Sequence, residues 1–333
     1  MGPAPQVDIG CPQPVIGSYG YANNILGEFF MRIAMIGLGD IARKAYLPVV
    51  ANHPEITPLL CTRNTQTLAA LAQQYRVADC FNTLESLLAA KPDAAMIHSN
   101  TESHAHIATQ LLNAGIPTFI DKPLSYQLHE CEALLNLATQ KNIPLTVGFN
   151  RRFAPLIAPL ADVANPLHIH WQKNRVNLPN RPRIFIYDDF IHVLDSLRFL
   201  APGILQNLHI TTHGKTNALG AIQVQWQRDK TLLTASMNRV SGVTEERVEF
   251  FATQQKWQID SLTTGVHYED NQARSLGFGD WENTLYKRGF VTMINAWVAQ
   301  VHSGQLSAHD DILATHALCE RVVNKAEMML SNN

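Results

Sequence analysis

The sequence predicts an α/β protein of two domains, with a parallel sheet in the first and a larger, mainly antiparallel open sheet in the second. Three observations support this fold class. An apolar run that begins near residue 31 is followed by a glycine-rich turn. Apolar runs then alternate with helical patterns up to residue 150. After residue 150 strand-like runs dominate. With 333 residues, the chain is long enough for two domains of ordinary size.

The glycine-rich turn lies in residues 31–42, which read MRIAMIGLGDIA. The apolar run ends at Ile36, Gly37 provides the backbone angles of a tight turn, and Gly39 leaves room for a pyrophosphate beside the main chain. Ala42 lets the following helix pack closely on the strand, and the N-terminus of that helix faces the anion. The turn therefore predicts a dinucleotide site with contacts at Gly37, Leu38, Gly39, Asp40 and Ile41.

Alternating strands and helices fill the rest of the first domain. The strand-like runs are Arg32–Ile36, Ile56–Cys61, Ala94–His98, Pro117–Ile120 and Leu145–Phe149. The helix-like runs are Ile41–Val50, Gln66–Tyr75, Leu84–Ala89, His104–Ala114 and Tyr126–Lys141. Such alternation requires right-handed crossovers and a parallel sheet covered on both faces. Ligands bind these sheets beyond the carboxyl ends of the strands, where we expect Gly37, Ser99, Asn100 and Lys122.

The pattern changes after Arg152. The strand-like runs are now Leu167–Lys173, Ala221–Gln227, Thr231–Asn238, Arg247–Thr253 and Lys256–Ile259, and the helices are Asp189–Leu200, Gly289–Val301 and Asp310–Met329. Turn signals between the strands favour an antiparallel sheet. We predict a flexible extension at residues 1–30, a dinucleotide-binding domain at 31–150, and a substrate-binding and oligomerisation domain at 151–333 whose C-terminal helix can pack back on the first domain.

Composition narrows the classes of function. A formal net charge of −2, an isoelectric point near 6.7 and the lack of a basic block argue against nucleic-acid and membrane-surface partners. Residues 1–30 contain no Lys or Arg, unlike a secretory signal, and Met31 directly precedes the first strand, so we expect the folded part to begin there. The cysteines lie far apart without a C-x-x-C spacing, which predicts reduced thiols in a cytoplasmic protein at Cys11, Cys61, Cys80, Cys131 and Cys319.

Two segments beside the predicted crevice carry polar groups. In Asp121-Lys122-Pro123 the proline excludes helical geometry at Lys122, so the lysine side chain either projects from the strand end into the crevice or lies in a solvated turn. The stretch G-F-N-R-R-F, residues 148–153, lies at the domain junction. Its arginines, Arg151 and Arg152, either hold a cofactor phosphate or a carboxylate, or join the domains.

A third segment reads Y-D-D-F-I-H-V-L-D from Tyr187 to Asp195. Asp188, His192 and Asp195 are spaced i, i+4 and i+7, so on an α-helix they share one face. A carboxylate beside an imidazole fixes the tautomer of the ring and raises its basicity. The spacing fits either a catalytic acid/base or a core histidine next to an aspartate.

Together these segments resemble the Gfo/Idh/MocA family of nicotinamide-dependent oxidoreductases, and especially its MviM-type members. The E-K-P motif of the family appears as Asp121-Lys122-Pro123, with a conservative change at the acid, and the D-x-x-x-H motif appears as Asp188 to His192. The stretch G-F-N-R-R-F-A-P-L at residues 148–156 looks like the MviM-type sequences. The resemblance extends from Met31 nearly to the C-terminus, and it implies a Rossmann domain followed by an α/β domain with a larger sheet.

The resemblance also implies an NAD(P)-dependent dehydrogenase or reductase acting on a secondary alcohol or carbonyl of a sugar, cyclitol or related polyol. Lys122 would hydrogen-bond the reacting oxygen, His192 would be the general acid/base, and Asp188 would orient His192. Substrate contacts are expected at Lys122, Arg152, Tyr187, Asp188 and His192, with Asn174, Arg175 and His267 as further candidates. Beyond the glycine turn, cofactor contacts are expected at Thr62, Arg63, Ser99, Asn100, His104, Asp121, Lys122, Asn150 and Arg151.

The choice between NADP and NAD depends on the end of the second strand. An NAD site places Asp or Glu there to bind the ribose 2′-hydroxyl. Here the strand ends in L-C-T-R-N, and no acid follows until Asp79. Arg63 with Thr62 can bind a 2′-phosphate, so we expect NADP rather than NAD. The alternative is that Arg63 stacks on the adenine.

Other functions have less support. The pairs His104-x-His106 and His168-x-His170 lack a carboxylate or cysteine that would complete a ligand set, so we expect no metal. Two alternatives to a dehydrogenase stay open, namely a glycosidase or eliminase that uses the nicotinamide transiently, and a non-catalytic dinucleotide-binding sensor. The expected partners are a small-molecule substrate and further copies of the chain in a homodimer or homotetramer, because an uncovered sheet face exposes an apolar patch.

Overall fold

The computed structural model describes residues 30–215 and 217–331, so the predicted extension at residues 1–30 lies outside it except for Phe30. The strands are β1 Met31–Ile36, β2 Ile56–Cys61, β3 Cys80–Phe81, β4 Ala94–Ile97, β5 Thr118–Ile120, β6 Leu145–Val147, β7 His168–Val176, β8 Leu205–Lys215, β9 Ala218–Arg228, β10 Thr231–Ser241, β11 Glu245–Ala252, β12 Gln255–Asp260, β13 Thr264–Glu269 and β14 Gln272–Leu276.

Helices connect and cover these strands. The α-helices are α1 Leu47–Val50, α2 Thr65–Tyr75, α3 Leu84–Ala89, α4 His104–Asn113, α5 Leu128–Lys141, α6 Pro182–Phe185, α7 Ile191–Leu200, α8 Thr284–Lys287, α9 Phe290–Ser303 and α10 His309–Ser331. Wider π turns cover Ala42–Tyr46 and Ile186–Phe190, directly before α1 and α7. Tighter 3₁₀ turns cover Thr101–Ser103, Asn150–Phe153 and Ala158–Asp162.

The first sheet has the order β3-β2-β1-β4-β5-β6, and every recorded pair in it is parallel. Ile36 pairs with both Cys61 and Ile97, and Ile97 pairs with Ile120. The ends of β1, β2, β4 and β5 therefore lie at one edge of the sheet. This arrangement confirms the predicted parallel α/β domain, and it brings the segments that follow these four strands together.

The second sheet has the order β14-β13-β12-β11-β7-β10-β9-β8. Among the described strands of this sheet only β7 and β10 pair in parallel, so the prediction of a large, mainly antiparallel sheet is confirmed. The sequence patterns missed β8, β13 and β14, which lie toward the edges of this sheet. Burial explains the omission, because β14 is almost wholly exposed and has little alternation of apolar and polar residues.

Helix α7 covers the inner face of the second sheet, where Trp171, Leu233 and Leu197 belong to one buried apolar cluster. The opposite face was expected to expose an apolar patch. It instead carries polar side chains along the centres of β7, β9 and β10, including Gln172, Gln223, Gln225 and Ser236, with exposed Leu232 and Val240 toward the strand ends. The expectation of an apolar face was therefore wrong, and the homodimer or homotetramer stays a prediction without that support.

The last two helices of the chain pack against the first domain. On α9, Trp297 meets Phe119 of β5 edge to face, with ring centroids 5.5 Å apart. On α10, the buried ring of His316 accepts a hydrogen bond at Nε2 from the main-chain N–H of Leu124, at 3.0 Å. The segment that follows Lys122 is thus held in place by the C-terminal helix.

Two further observations concern the chemistry of the whole chain. Among the described residues, no helix is both long and apolar enough to cross a membrane. Cys61, Cys80, Cys131 and Cys319 are free thiols, whereas Cys11 lies outside the described residues.

Candidate active site

The glycine turn after β1 has the geometry that a dinucleotide needs. Gly37 has φ +85°, and a Cβ added to it would lie 2.5 Å from the main-chain nitrogen of Ser99. A Cβ added to Gly39 would meet no described atom within 4 Å. Gly37 is therefore required by the protein itself, whereas the space at Gly39 is open for a ligand. The residues present fit a bound pyrophosphate.

The side chains of the other turn residues are buried, exposed or paired within the protein. Leu38 and Ala42 are buried, and Ile41 is 39% exposed at the start of the helix. The carboxylate of Asp40 pairs with Lys44 at 2.8 Å on the helix surface. The carboxylate of Asp40 is thus engaged, and its main-chain N–H is the group that stays a predicted contact for an anion.

The end of β2 carries no acidic side chain. Arg63 is exposed there, and Asn64 accepts a hydrogen bond from the main-chain N–H of Thr67 at 2.9 Å, which caps α2. One cavity of about 390 Å³ lies between this cap and the first helix, and Arg43 and Thr67 both line it. Arg43, which sequence reasoning overlooked, thus lines the same cavity as the first turn of α2, the helix that follows Arg63.

Lys122 and the segment before His192 meet, although they lie far apart in the sequence. The Nζ of Lys122 donates a hydrogen bond of 2.5 Å to the main-chain carbonyl of Asp188. Asp188 precedes His192 by four residues, and Lys122 follows the end of β5 at the ligand edge of the first sheet. The two motifs that carry the family resemblance therefore converge across the domain junction.

The carboxylate of Asp188 has a different partner from the predicted one. Its Oδ1 accepts a hydrogen bond of 2.6 Å from the hydroxyl of Tyr126, and no hydrogen bond joins it to His192 among the described residues. The prediction assumed α-helical spacing, but Asp188 lies in the π turn Ile186–Phe190, which has a different angular repeat. The role of Asp188 as the residue that orients His192 is thus not supported, and its carboxylate instead holds Tyr126.

His192 is buried on the first turn of α7, with 8% of its surface exposed. Its Nδ1 is buried and has no hydrogen-bond partner among the described residues. Burial, followed by the positive charges of Arg151, Lys173 and Lys122, holds the pKa of His192 well below its ordinary value. The ring is therefore neutral at pH 7.

Asp121 and His104 position the segment that carries Lys122. The hydroxyl of Tyr46 donates to Asp121 Oδ1 at 2.7 Å, and a Cβ on Gly148 would lie 2.7 Å from that hydroxyl. His104 is buried, with Nδ1 2.9 Å from the carbonyl of Pro123 and Nε2 3.1 Å from that of Ser99. Its predicted cofactor contact is therefore corrected to a positioning role, since main-chain groups occupy both ring nitrogens.

Asn150 and Arg151 also differ from their predicted use as cofactor contacts. The Nε and Nη2 of Arg151 donate to the two carboxylate oxygens of Glu246 on β11, each at 2.9 Å, and the pair is buried. Asn150 donates to the main-chain carbonyl of Arg288 at 2.8 Å and accepts from Arg151 at 3.0 Å. These contacts join the domain junction to the second sheet, which was the other interpretation of the arginine pair.

Four residues proposed as substrate contacts point elsewhere. Arg152 binds Asp195 and Asp311, and the hydroxyl of Tyr187 donates to Glu320 on α10, so both join the junction to the C-terminal helix. Asn174 holds Glu245 at 2.8 Å, and His267 stacks on Trp257 with ring centroids 4.2 Å apart. Sequence reasoning could not exclude these contacts, because it does not give the direction of each side chain relative to the sheet.

Several residues of the site were missed. Tyr126 was placed only at a helix start, yet it binds Asp188, and burial raises the pKa of its hydroxyl so that it remains a donor. Asp189, Lys173 and Arg239 form a buried charged cluster with Arg175, the only member that was predicted as a contact. The repeated basic residues of β7 at positions 173 and 175 were the one local signal that they share a face.

A metal site was also considered. His168 and His170 stack on each other on β7, with ring centroids 6.5 Å apart, and His106 pairs with Gln110. Within residues 30–215 and 217–331, no group of three or more His, Cys, Asp or Glu side chains is arranged to hold a metal ion.

Comparison with known proteins agrees with this geometry. Residues 31–149 match the model of an oxidoreductase family with an NAD-binding Rossmann fold, and residues 160–271 match the C-terminal domain of YceM-like proteins. The YceM protein of Salmonella typhimurium is 31% identical over 270 residues, which cover 78% of this chain and 86% of the relative. The chain belongs to the Gfo/Idh/MocA family of oxidoreductases.

Solved structures of the Gfo/Idh/MocA family confirm the fold. A family oxidoreductase from Vibrio cholerae superimposes with a TM-score of 0.86 at 40% identity, over 90% of this chain and 99% of that one. A dehydrogenase (MviM) from Clostridium difficile gives a TM-score of 0.82 at 27% identity, over 89% and 99% of the two chains. The chain is therefore an NAD-binding oxidoreductase of dehydrogenase type, and the predicted likeness to MviM-type members is confirmed.

Proposed function

We propose that the protein transfers a hydride between a nicotinamide cofactor and a secondary alcohol or carbonyl of a sugar, cyclitol or related polyol. Lys122 and His192 are its acid/base groups. The observation that carries the proposal is the 2.5 Å hydrogen bond from Lys122 to the carbonyl of Asp188, which places the ammonium one helical turn from the neutral ring of His192. Relatives named as myo-inositol and UDP-N-acetylglucosamine dehydrogenases support this substrate class.

The cofactor would be held by the open turn at Gly39, by main-chain groups at the start of the first helix, and by Arg63 at the end of β2. When bound, it supplies or accepts the hydride at C4 of its ring. Arg63 is exposed and β2 ends without an acid, which favours NADP over NAD. Arg43 strengthens this preference, because a second cation nearby attracts a 2′-phosphate further.

The residues of this chain then handle the proton. An ammonium has three N–H donors, and the carbonyl of Asp188 uses one of those of Lys122, so others can hydrogen-bond the reacting oxygen. In oxidation, the neutral ring of His192 accepts the proton of the substrate hydroxyl, and in reduction the same ring returns it. The hydrogen bond from Tyr126 to Asp188 fixes the turn that presents both groups.

The test is a screen of sugars, cyclitols and polyols with NADP⁺ and NAD⁺, followed at 340 nm for the wild type, Lys122→Met and His192→Asn. The expected result is a cofactor-dependent absorbance change that both substitutions abolish, while His192→Asn retains the affinity for NADPH. Product formation without any net change at 340 nm would instead indicate transient oxidation during elimination. A sensor would bind NADPH and turn over none of these compounds, and Lys122→Met would leave its biological activity unchanged.

We also propose that the enzyme acts in the cytoplasm as a homodimer or homotetramer. The four free thiols support a reducing compartment such as the cytoplasm. Light scattering after size-exclusion chromatography tests the oligomeric state, and a monomer at micromolar concentration would contradict it.

A further inference from the structure

The inner face of the second sheet carries a buried cluster of basic side chains close to His192. Lys173 and Arg175 project from β7, and Arg239 projects from the neighbouring strand β10. All three surround one carboxylate, that of Asp189, which lies in the π turn before α7. Lys173 contacts Asp189 directly, and Nε of Arg175 binds its Oδ2 at 2.9 Å.

Arg239 is the unusual member of the cluster. It is only 6% exposed, yet its Nε and Nη1 are buried without a hydrogen-bond partner among the described residues. Its Nη2 lies 3.7 Å from Asp189, beyond hydrogen-bond distance, and its guanidinium stacks over Phe185 at 5.1 Å. A buried guanidinium with free donors is costly unless an anion completes it.

The charges of the cluster do not balance. Arg151 engages both oxygens of Glu246, so that pair is balanced in itself, and the carboxylates of Asp189 and Asp188 then face three cations. The pKa of Lys173 reflects this excess, since burial and the nearby charge of Arg151 lower it to about 7. One additional anion next to Arg239 would offset the surplus positive charge.

The cluster belongs to the same site as the acid/base groups. Asp189 directly follows Asp188, whose carbonyl binds Lys122, and it precedes His192 by three residues. Lys173 and Arg175 are close enough to lower the pKa of His192. Arg175 also opens the cluster to solvent, because its side chain is 34% exposed.

We propose that the substrate carries an anionic group, a carboxylate or a phosphate, which binds between Arg239 and Arg175 while its hydroxyl or carbonyl faces Lys122 and His192. This inference rests on the proposed function, because it names the substrate class of the same site. A guanidinium fork matches either anion in a bidentate geometry, so both belong to one ligand chemistry. The substrate is thus an acidic or phosphorylated sugar or cyclitol rather than a neutral polyol.

The experiment compares neutral sugars with their acidic derivatives, using D-glucose, D-glucuronate and D-glucose 6-phosphate as one matched set and inositol with inositol phosphate as another. Binding is measured by calorimetry on the full chain with NADPH present, and turnover is measured in parallel. We expect at least one anionic compound to bind about tenfold or more tightly than its neutral parent. Arg239→Met should abolish that preference, and Arg239→Lys should retain part of it. Comparison of the carboxylate compounds with the phosphate compounds shows which of the two anions the site binds.

Arg247→Met is the matched control, since Arg247 is an exposed arginine of the same sheet, on β11, that pairs with Asp260. It should leave the preference unchanged. Equal binding of neutral and anionic compounds, or a preference that survives Arg239→Met, would overturn the inference. If Arg239→Met does not fold, the melting temperature of the wild type is measured with increasing concentrations of the anionic compound and of its neutral parent. A saturable rise with the anionic compound alone supports the inference, and equal behaviour of the two compounds overturns it.

The outcomes separate the inference from the proposed function. Arg239-dependent binding of an anion without hydride transfer would leave the anion site intact and contradict the dehydrogenase. Turnover of neutral polyols that is indifferent to Arg239 would support the dehydrogenase and contradict the anion site.

Discussion

The ammonium of Lys122 donates a hydrogen bond to the main-chain carbonyl of Asp188, 66 residues later in the sequence, at 2.5 Å. This contact links the ligand edge of the first sheet to the helix of the second domain that carries His192. The bond uses the main chain of Asp188, so it depends on the path of the π turn and not on the carboxylate. It brings the ammonium of Lys122 to the turn that leads into His192.

Replacement of His192 tests the acid/base assignment. We expect His192→Asn to lower kcat about 10²–10⁴-fold, because a positioned acid/base contributes about that factor. The affinity for NADPH, measured by fluorescence titration, should not change, since His192 lies on α7 of the second domain and not on the glycine turn. Retention of more than half of the wild-type kcat would exclude His192 as the acid/base group. Asp195→Asn is unsuitable as a control, because Asp195 binds Arg152.

Arg63 tests the choice of nucleotide. Arg63→Ala should weaken NADPH binding about tenfold or more and leave NADH binding nearly unchanged, because only the 2′-phosphate forms a charge-assisted pair with the guanidinium. Dissociation constants for both nucleotides measure this. Arg274→Ala, at an exposed position of β14, is the matched control and should change neither constant. Tighter binding of NADH than of NADPH by the wild type would refute the preference.

The two glycines of the first turn should respond differently to the same substitution. Gly37→Ala should lower the free energy of unfolding by about 2–4 kcal/mol, because its φ of +85° is strained for alanine and the new Cβ lies 2.5 Å from Ser99. Gly39→Ala should fold with nearly wild-type stability and bind NADPH weakly, because the added methyl occupies space left for the pyrophosphate. Denaturant unfolding and NADPH titration separate the effects. Gly39→Ala with full NADPH affinity would place the pyrophosphate elsewhere.

Arg151 tests the corrected role of the domain junction. Burial raises the pKa of Glu246, but the charges of Arg151 and Lys173 outweigh it and lower that pKa to about 2. Arg151→Met leaves the buried carboxylate without its bidentate partner and should lower the free energy of unfolding by about 3–5 kcal/mol. NADPH affinity should remain. Weakened NADPH binding at unchanged stability would instead support Arg151 as a cofactor contact. Glu246→Gln is the companion variant, because it changes the other partner of the same ion pair.

Buried histidines predict loss of stability in mild acid. Burial lowers the pKa of His98 to about 3 and that of His316 to about 4, whereas an unfolded histidine titrates near about 6.5. Below that value the unfolded state binds more protons, so the free energy of unfolding falls as the pH falls, by about 1.4 kcal/mol per pH unit for each histidine.

His316→Gln isolates one of these contributions. Denaturant unfolding at several values between about pH 6.5 and 5 should show a slope reduced by about 1.4 kcal/mol per pH unit relative to the wild type. The carboxylates whose pKa values are lowered, such as Glu246, lose their contribution only at lower pH. An unchanged slope in the variant would mean that His316 is not a buried neutral group.

The sequence by itself determined the architecture and the candidates for the reacting groups. Periodic apolar runs are local consequences of burial on one or both faces, so the parallel sheet and most strands of the second sheet could be predicted. Gly37, Gly39, Lys122 and His192 were also recognisable, because their chemistry needs particular residue types next to a strand end or a helix. The edge strands were not, since β14 buries little apolar surface and leaves no pattern.

Only the tertiary structure decided which charged groups meet. Arg151, Arg152 and Tyr187 were equally good ligand contacts by sequence, yet each is held by an acidic residue that is distant in the chain, Glu246, Asp195 or Glu320. Conversely, the free donors of Arg239 became visible only once its burial and its neighbours were known. The physical reason is that pairing of charges depends on distances between strands and helices far apart in sequence, which local propensity and periodicity do not contain.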